Sequence, residues 1–214
     1  MHNFIQNRRT VGAALLAGAA LVLAGCGGGG KGPGAVTSED MSMGNPNAKV
    51  TLIEYASVTC THCADFNEKV MPELKRKYID TGKINYVYRE FLTPPNDVSA
   101  AGTLLARCAG KDKYFQVVDA VMKSQREMFG DGTTANAGPV LRNIAKSVGM
   151  SEEQFNRCVT DPKGLERLQN NVDKYMKENN IDSTPTFFVN GEKFERKTGD
   201  ISDFDKKFAE LGVK

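Results

Sequence analysis

Two cysteines two residues apart, Cys60-Thr61-His62-Cys63, follow directly on the apolar run "KVTLIEYAS" and open a stretch with helical spacing. That placement constrains the fold more than any other feature of the chain. Val50, Leu52, Ile53 and Tyr55 give the run the β-branched and aromatic bulk of a buried strand. Past the cysteines, Phe66, Val70, Leu74 and Tyr78 recur near one helix face, and Pro72 within that run predicts a kink. Residues 83–91, "KINYVYREF", read as a second strand with Ile84, Tyr86 and Tyr88 on one side. Strand, helix and strand in this order predict a parallel βαβ crossover with the cysteines at its first turn.

A long helical stretch follows, about residues 97–180, and its apolar stripes read as ordinary core. Ser151 and Gln154 form a capping-box pattern there. Strand text returns at "TPTFFVNGEKFE", where Asn190-Gly191 between apolar runs predicts a hairpin with a type I′ turn. A last helix from about Ser202 buries Phe204, Phe208 and Leu211. The order is βαβ, several helices, then ββα: an α/β chain with no internal repeat.

The N-terminus belongs to another category. Residues 1–25 carry Arg8 and Arg9, no acidic residue and an apolar run from Val11 to Gly25. That run is too short to span a bilayer and matches the core of a secretory signal. Its end, Leu23-Ala24-Gly25-Cys26, resembles the lipobox of bacterial lipoprotein signals, in which Cys26 is lipidated and becomes the mature N-terminus. Arg8-Arg9 leaves Sec and twin-arginine export both open. Residues 26–40, glycine-rich and without hydrophobic pattern, read as a lipid-anchored tether, and residues 41–214 as the folded domain. Removing two of the 28 basic residues with the signal leaves 26 against 26 acidic ones. A neutral balance gives no footprint for nucleic acid.

Five cysteines are an odd number for an exported protein. Lipidation of Cys26 leaves two candidate pairs, Cys60 with Cys63 and Cys108 with Cys158, in a compartment where disulfides persist.

What the CxxC does follows by comparing chemistries. A c-type haem site needs His after the second cysteine, where Ala64 stands. Zinc needs four ligands, and only Cys60, His62 and Cys63 are at hand locally. A purely structural bridge over two residues closes too small a loop to add much stability. A redox-active dithiol remains. At a helix N-terminus, free N–H groups and the macrodipole stabilise a thiolate, so Cys60 is the expected nucleophile and Cys63, a turn further in, the resolving thiol. His62 can stabilise that thiolate, or be a merely exposed residue at the helix start.

"GNPNAKVTLIEYASVTCTHCADF" together with "STPTFFVNG" resembles the DsbA-like branch of the thioredoxin superfamily, from about Gly44 to the C-terminus. The resemblance implies a thioredoxin-like fold with a helical domain inserted between the βαβ and ββα halves. It implies that Pro185 is cis and packs beside the CxxC, with Thr184 presenting backbone to a bound polypeptide. Glu54 matches the family's buried acid beneath the active site, where a carboxyl with a raised pKa could relay the proton of Cys63; as a bare residue it could also point to water. Some DsbA-like proteins carry a second, non-catalytic disulfide in the insertion, which makes Cys108–Cys158 a structural bridge; two free buried thiols are the alternative.

The resulting expectation is a dithiol oxidase that introduces disulfides into exported polypeptides, without cofactor. It would be lipid-anchored on the periplasmic side of the envelope and reoxidised by a DsbB-like membrane partner. A reductase or isomerase on the same fold is the alternative, because Thr61 replaces the proline common in the spacer of the best-known oxidases. A non-enzymatic lipoprotein that binds through its cysteines is a third reading.

Overall fold

The computed structural model describes residues 34–213; the expected export signal, the expected lipobox and Cys26 lie outside them. Five strands form one sheet: β1 (Met41–Gly44), β2 (Val50–Ala56), β3 (Ile84–Glu90), β4 (Thr186–Val189) and β5 (Glu192–Phe194), in the order β1-β3-β2-β4-β5. β2 lies in the middle, parallel to β3 with Val50 opposite Ile84, and antiparallel to β4 with Tyr55 opposite Thr186. The crossover between β2 and β3 runs through α1 (Thr61–Lys69) and α2 (Met71–Leu74), which continues into a π-helical turn, Lys75–Ile79. Six helices separate β3 from β4: α3 (Asn96–Cys108), α4 (Lys111–Lys123), α5 (Gln125–Phe129), α6 (Ala137–Ser147), α7 (Glu152–Val159) and α8 (Pro162–Asn179). α9 (Ser202–Glu210) closes the chain.

Both faces of the sheet are covered, so β2 and β3 read as continuous buried text rather than alternation. Leu52, Ile84 and Tyr86 pack with Phe66, Phe204, Phe208 and Val121 on one side; Ile53, Tyr55, Val87 and Phe188 pack with Leu168 and Val172 of α8 on the other. In the hairpin, Asn190 and Gly191 have φ of 51° and 86°, the two positive values that a type I′ turn demands.

Three local features differ from the sequence pattern. The helix after the cysteines breaks at Val70, before Pro72 rather than at it, and restarts with the proline in its first turn, where a missing N–H costs nothing. β1 has no strand signature in "MSMG"; it forms because the edge of β3 offers it a ladder, Met41 opposite Tyr88. The third concerns the end of the glycine-rich stretch. Arg89, buried in β3, pairs with Asp40 at 3.0 Å and donates to the Ala35 carbonyl at 2.5 Å, while Val36 packs on the second core. The chain is therefore held against the body from Ala35, ahead of the position 40 at which composition alone ends the tether.

Cys108, at the end of α3, and Cys158, in α7, form a disulfide with Cα atoms 6.2 Å apart.

Candidate active site

β2 ends at Ala56 and delivers a four-residue loop to α1. Hydroxyls hold that loop: Ser57 bonds Ser99 of α3 at 2.8 Å, and Thr59 donates to the Thr93 carbonyl at 2.9 Å. Gln125 reaches in from α5 and donates from its amide to the carbonyls of Val58 at 2.9 Å and Cys60 at 3.2 Å. Nothing local in the sequence marks Gln125, since its partners lie more than 60 positions away.

Cys60 is the N-cap residue of α1, and its sulfur accepts the Cys63 N–H at 3.2 Å. Both cysteines are free thiols here, and their exposures differ: 8% for Cys60, none for Cys63. That difference decides which sulfur another molecule can reach. A hydrogen bond from the Cys63 thiol pulls the Cys60 pKa down to about 6, against the cost of burial, helped by the Thr184 side chain and the backbone N–H groups of Cys63 and His62. Burial, above all, pushes the Cys63 thiol far up, reinforced by its hydrogen bond to Cys60 and the charge of Glu54. His62 thus acts on the sulfur through its backbone; its imidazole is exposed.

Thr184-Pro185 is a cis peptide at the head of β4, and the Thr184 carbonyl lies 3.4 Å from the Cys60 sulfur. Beneath the pair, Glu54 of β2 is 2% exposed and accepts the Tyr86 hydroxyl proton at 2.6 Å. Burial pushes its pKa up to about 8; the Tyr86 hydrogen bond opposes this, the Cys60 charge adds to it, and Arg196 opposes it. Glu54 also lines a cavity of about 530 Å³ between the sheet, α1–α2 and α4, walled by Met71, Phe115, Val118 and Met122. The fold thus gathers Glu54, Cys60, His62, Cys63, Thr184 and Pro185 at one end of the central strand, while Cys108–Cys158 sits apart in the helices. Tyr86 and Arg196, both bearing on Glu54, have no motif that singles them out.

A family profile described as thioredoxin matches residues 36–206. The chain belongs to the thioredoxin family. Within it, a Rickettsia bellii protein named as a protein-disulfide oxidoreductase is 36% identical over 75% of this chain. The match spans 60% of that relative's length, so the chain covers only about three-fifths of such a protein. Among solved structures, alpha-DsbA1 of Wolbachia pipientis superposes with a TM-score of 0.75 and 28% identity, over 82% of this chain and 92% of that one. BdbD of Bacillus subtilis shares the fold at a TM-score of 0.69 and 18% identity, over 80% and 92%. The resemblance drawn from the cysteine motif and the Thr-Pro stretch is borne out in family and in fold. Among the described residues of this thioredoxin-family chain, no group of three or more His, Cys, Asp or Glu side chains could hold a metal, and no helix is long and apolar enough to cross a membrane.

Proposed function

We propose that this chain is a thiol:disulfide oxidoreductase that introduces disulfides into exported polypeptides through Cys60 and Cys63. The observation that carries the reading is the split between the two thiols: Cys60 is reachable with a pKa near 6, and Cys63 is sealed with its pKa raised. A stabilised thiolate favours the reduced form and so makes the Cys60–Cys63 disulfide oxidising.

In that direction a substrate thiolate attacks the Cys60 sulfur, the Cys60–Cys63 bond breaks, and Cys63 leaves with the electron pair. The second substrate thiolate then attacks the substrate sulfur of the mixed disulfide and releases Cys60 as a thiolate. The substrate has lost two electrons and the enzyme has gained them. Cys63 holds its proton tightly and takes one as it leaves. Glu54, pushed up to about 8, is a protonated acid at neutral pH and suits that donation. Thr184 and Pro185 border the sulfur and offer the backbone along which the polypeptide lies. The Cys108–Cys158 bridge ties α3 to α7 and has a structural role.

The export signal, lipidation of Cys26, a lipid anchor in the cell envelope and reoxidation by a DsbB-like membrane protein belong to the same proposal, on the strength of residues 1–26. One observation favours the reverse use as reductase or isomerase. A Cys60 pKa of about 6 stands nearer the roughly 7 of thioredoxin than the roughly 3.5 of DsbA. The reduction potential of the pair in the soluble domain, equilibrated against glutathione, separates the two. A value above about −150 mV is expected for the oxidase; one near about −250 mV would establish a reductant.

A further inference from the structure

Beside Pro185 lies a second cavity, of about 360 Å³, between the head of β4 (Ser183, Pro185, Thr186) and the end of β5 (Lys193, Glu195, Arg196). Pro185 is common to this cavity and to the thiol site, because the Thr184 carbonyl touches the Cys60 sulfur. Two cations and one carboxylate line it.

Arg196 is the unusual member. Its guanidinium lies over three rings, 5.0 Å from the centre of Phe66, 5.6 Å from Phe204 and 5.8 Å from Phe187. Those rings fix its position, and burial holds its pKa below the ordinary guanidinium value. Its Nε is buried and bonds to nothing, and its Nη2 makes only a long 3.4 Å contact to the Asp200 carbonyl. The nearby acids are engaged elsewhere. Asp203 accepts the backbone N–H groups of Lys197 and Thr198 at 2.6 Å, and Asp200 accepts the N–H of Ser202 at 2.9 Å together with its hydroxyl. Among the described residues no carboxylate forms an ion pair with Arg196. Asp203, Glu54 and Asp200 act on Arg196 only through space. A positioned, part-desolvated guanidinium with no ion pair is poorly compensated, and its planar fork suits a carboxylate.

We propose that this cavity is a subsite for an acidic side chain of the polypeptide substrate, paired by Arg196 with Lys193 in support, a few residues from the reacting cysteine. The inference rests on the oxidoreductase reading and gives its substrates a chemical character: cysteines with Asp or Glu close by are handled faster.

The test uses three dithiol peptides that differ at one position near the cysteine, bearing Asp, Asn or Lys, and measures their second-order rates of oxidation by the oxidised enzyme. The Asp peptide should react about fivefold to tenfold faster than the Lys peptide at low salt, and the advantage should shrink as salt is raised. Arg196→Gln should abolish the ratio, Arg196→Lys should keep part of it, and Lys193→Gln, at an exposed position, should reduce it. The ratio is the readout because Arg196 also bears on Glu54 and so on the absolute rate. Equal rates for the three peptides, or a ratio that survives both Arg196→Gln and Lys193→Gln, would overturn the subsite. Failure of all three peptides to react would instead sink the oxidoreductase reading.

Discussion

The sulfur of Cys60 and the carbonyl oxygen of Thr184 are 3.4 Å apart, although 124 positions separate the two residues in sequence. Pairing of β4 against β2 brings them together, and it also places the Thr184 side chain where it lowers the Cys60 pKa. Thr184→Val keeps the shape and removes the hydroxyl. A hydrogen bond of about 1 kcal/mol corresponds to roughly 0.7 of a pKa unit, so the midpoint of Cys60 alkylation by iodoacetamide should rise from about 6 by that amount. An unmoved midpoint would remove the hydroxyl from the account.

His62→Ala should move the same midpoint less than Thr184→Val does. The His62 contribution comes from its backbone N–H, which alanine retains, and the imidazole is exposed. A shift of a full unit on this substitution would restore the imidazole to the thiolate's surroundings.

Glu54 makes stability depend on pH. Its native pKa of about 8 lies above the ordinary 4.5, so between those values the folded chain keeps a proton that the unfolded chain has released. Stability from this group is fully present below about pH 4.5 and is lost as pH rises towards and through 8. Glu54→Gln cannot titrate and should flatten the profile, gaining on the parent by up to about 4 kcal/mol at pH 8. Urea unfolding of both oxidised proteins at pH 5 and pH 8 measures this without a thiolate; with the Cys60 charge gone, the gain falls below that figure. Parallel profiles would mean that the Glu54 carboxyl ionises normally.

Gln125→Ala removes two hydrogen bonds from the loop that carries Cys60 and leaves two carbonyls to find other partners. A loss of about 1 to 2 kcal/mol is expected, or a Tm lower by roughly 2–8 °C for a chain of this size. Calorimetry reads it directly.

Replacing both Cys108 and Cys158 by Ala opens a loop spanning a sequence separation of 50. The chain-entropy account gives a loss of about 4 kcal/mol, less any strain relieved. Chemical unfolding of the double variant under oxidising conditions provides the measurement. No loss would mean that helix packing alone joins α3 to α7.

What could be read from sequence had a local cause. The run around Leu52 and Ile53, the cysteines at its end and Asn190-Gly191 each carry their own geometry, and together they yield the βαβ–helices–ββα order. β1 could not be read that way, because its ladder is supplied by β3. Nothing local in the sequence sets Arg89 apart; Asp40 and the Ala35 carbonyl, brought against it by the fold, do. Gln125, Tyr86 and Arg196 matter through partners that the fold brings from far along the chain. The polar residue in the apolar strand, Glu54, was visible; the Tyr86 hydroxyl and the cavity wall around it were not.

The two acidic groups of the site have exchanged rank. A carboxylic acid ordinarily gives up its proton more than four pH units before a thiol, at 4.5 against 9.0, whereas here Cys60 ionises near 6 and Glu54 only near 8. Around pH 7 the reduced centre therefore holds a single negative charge, on the barely exposed Cys60 sulfur, with a loaded proton below it. A site with the ordinary ranking would hold its charge on the buried oxygen, with a neutral thiol above it and no proton beneath for Cys63 to take as it leaves.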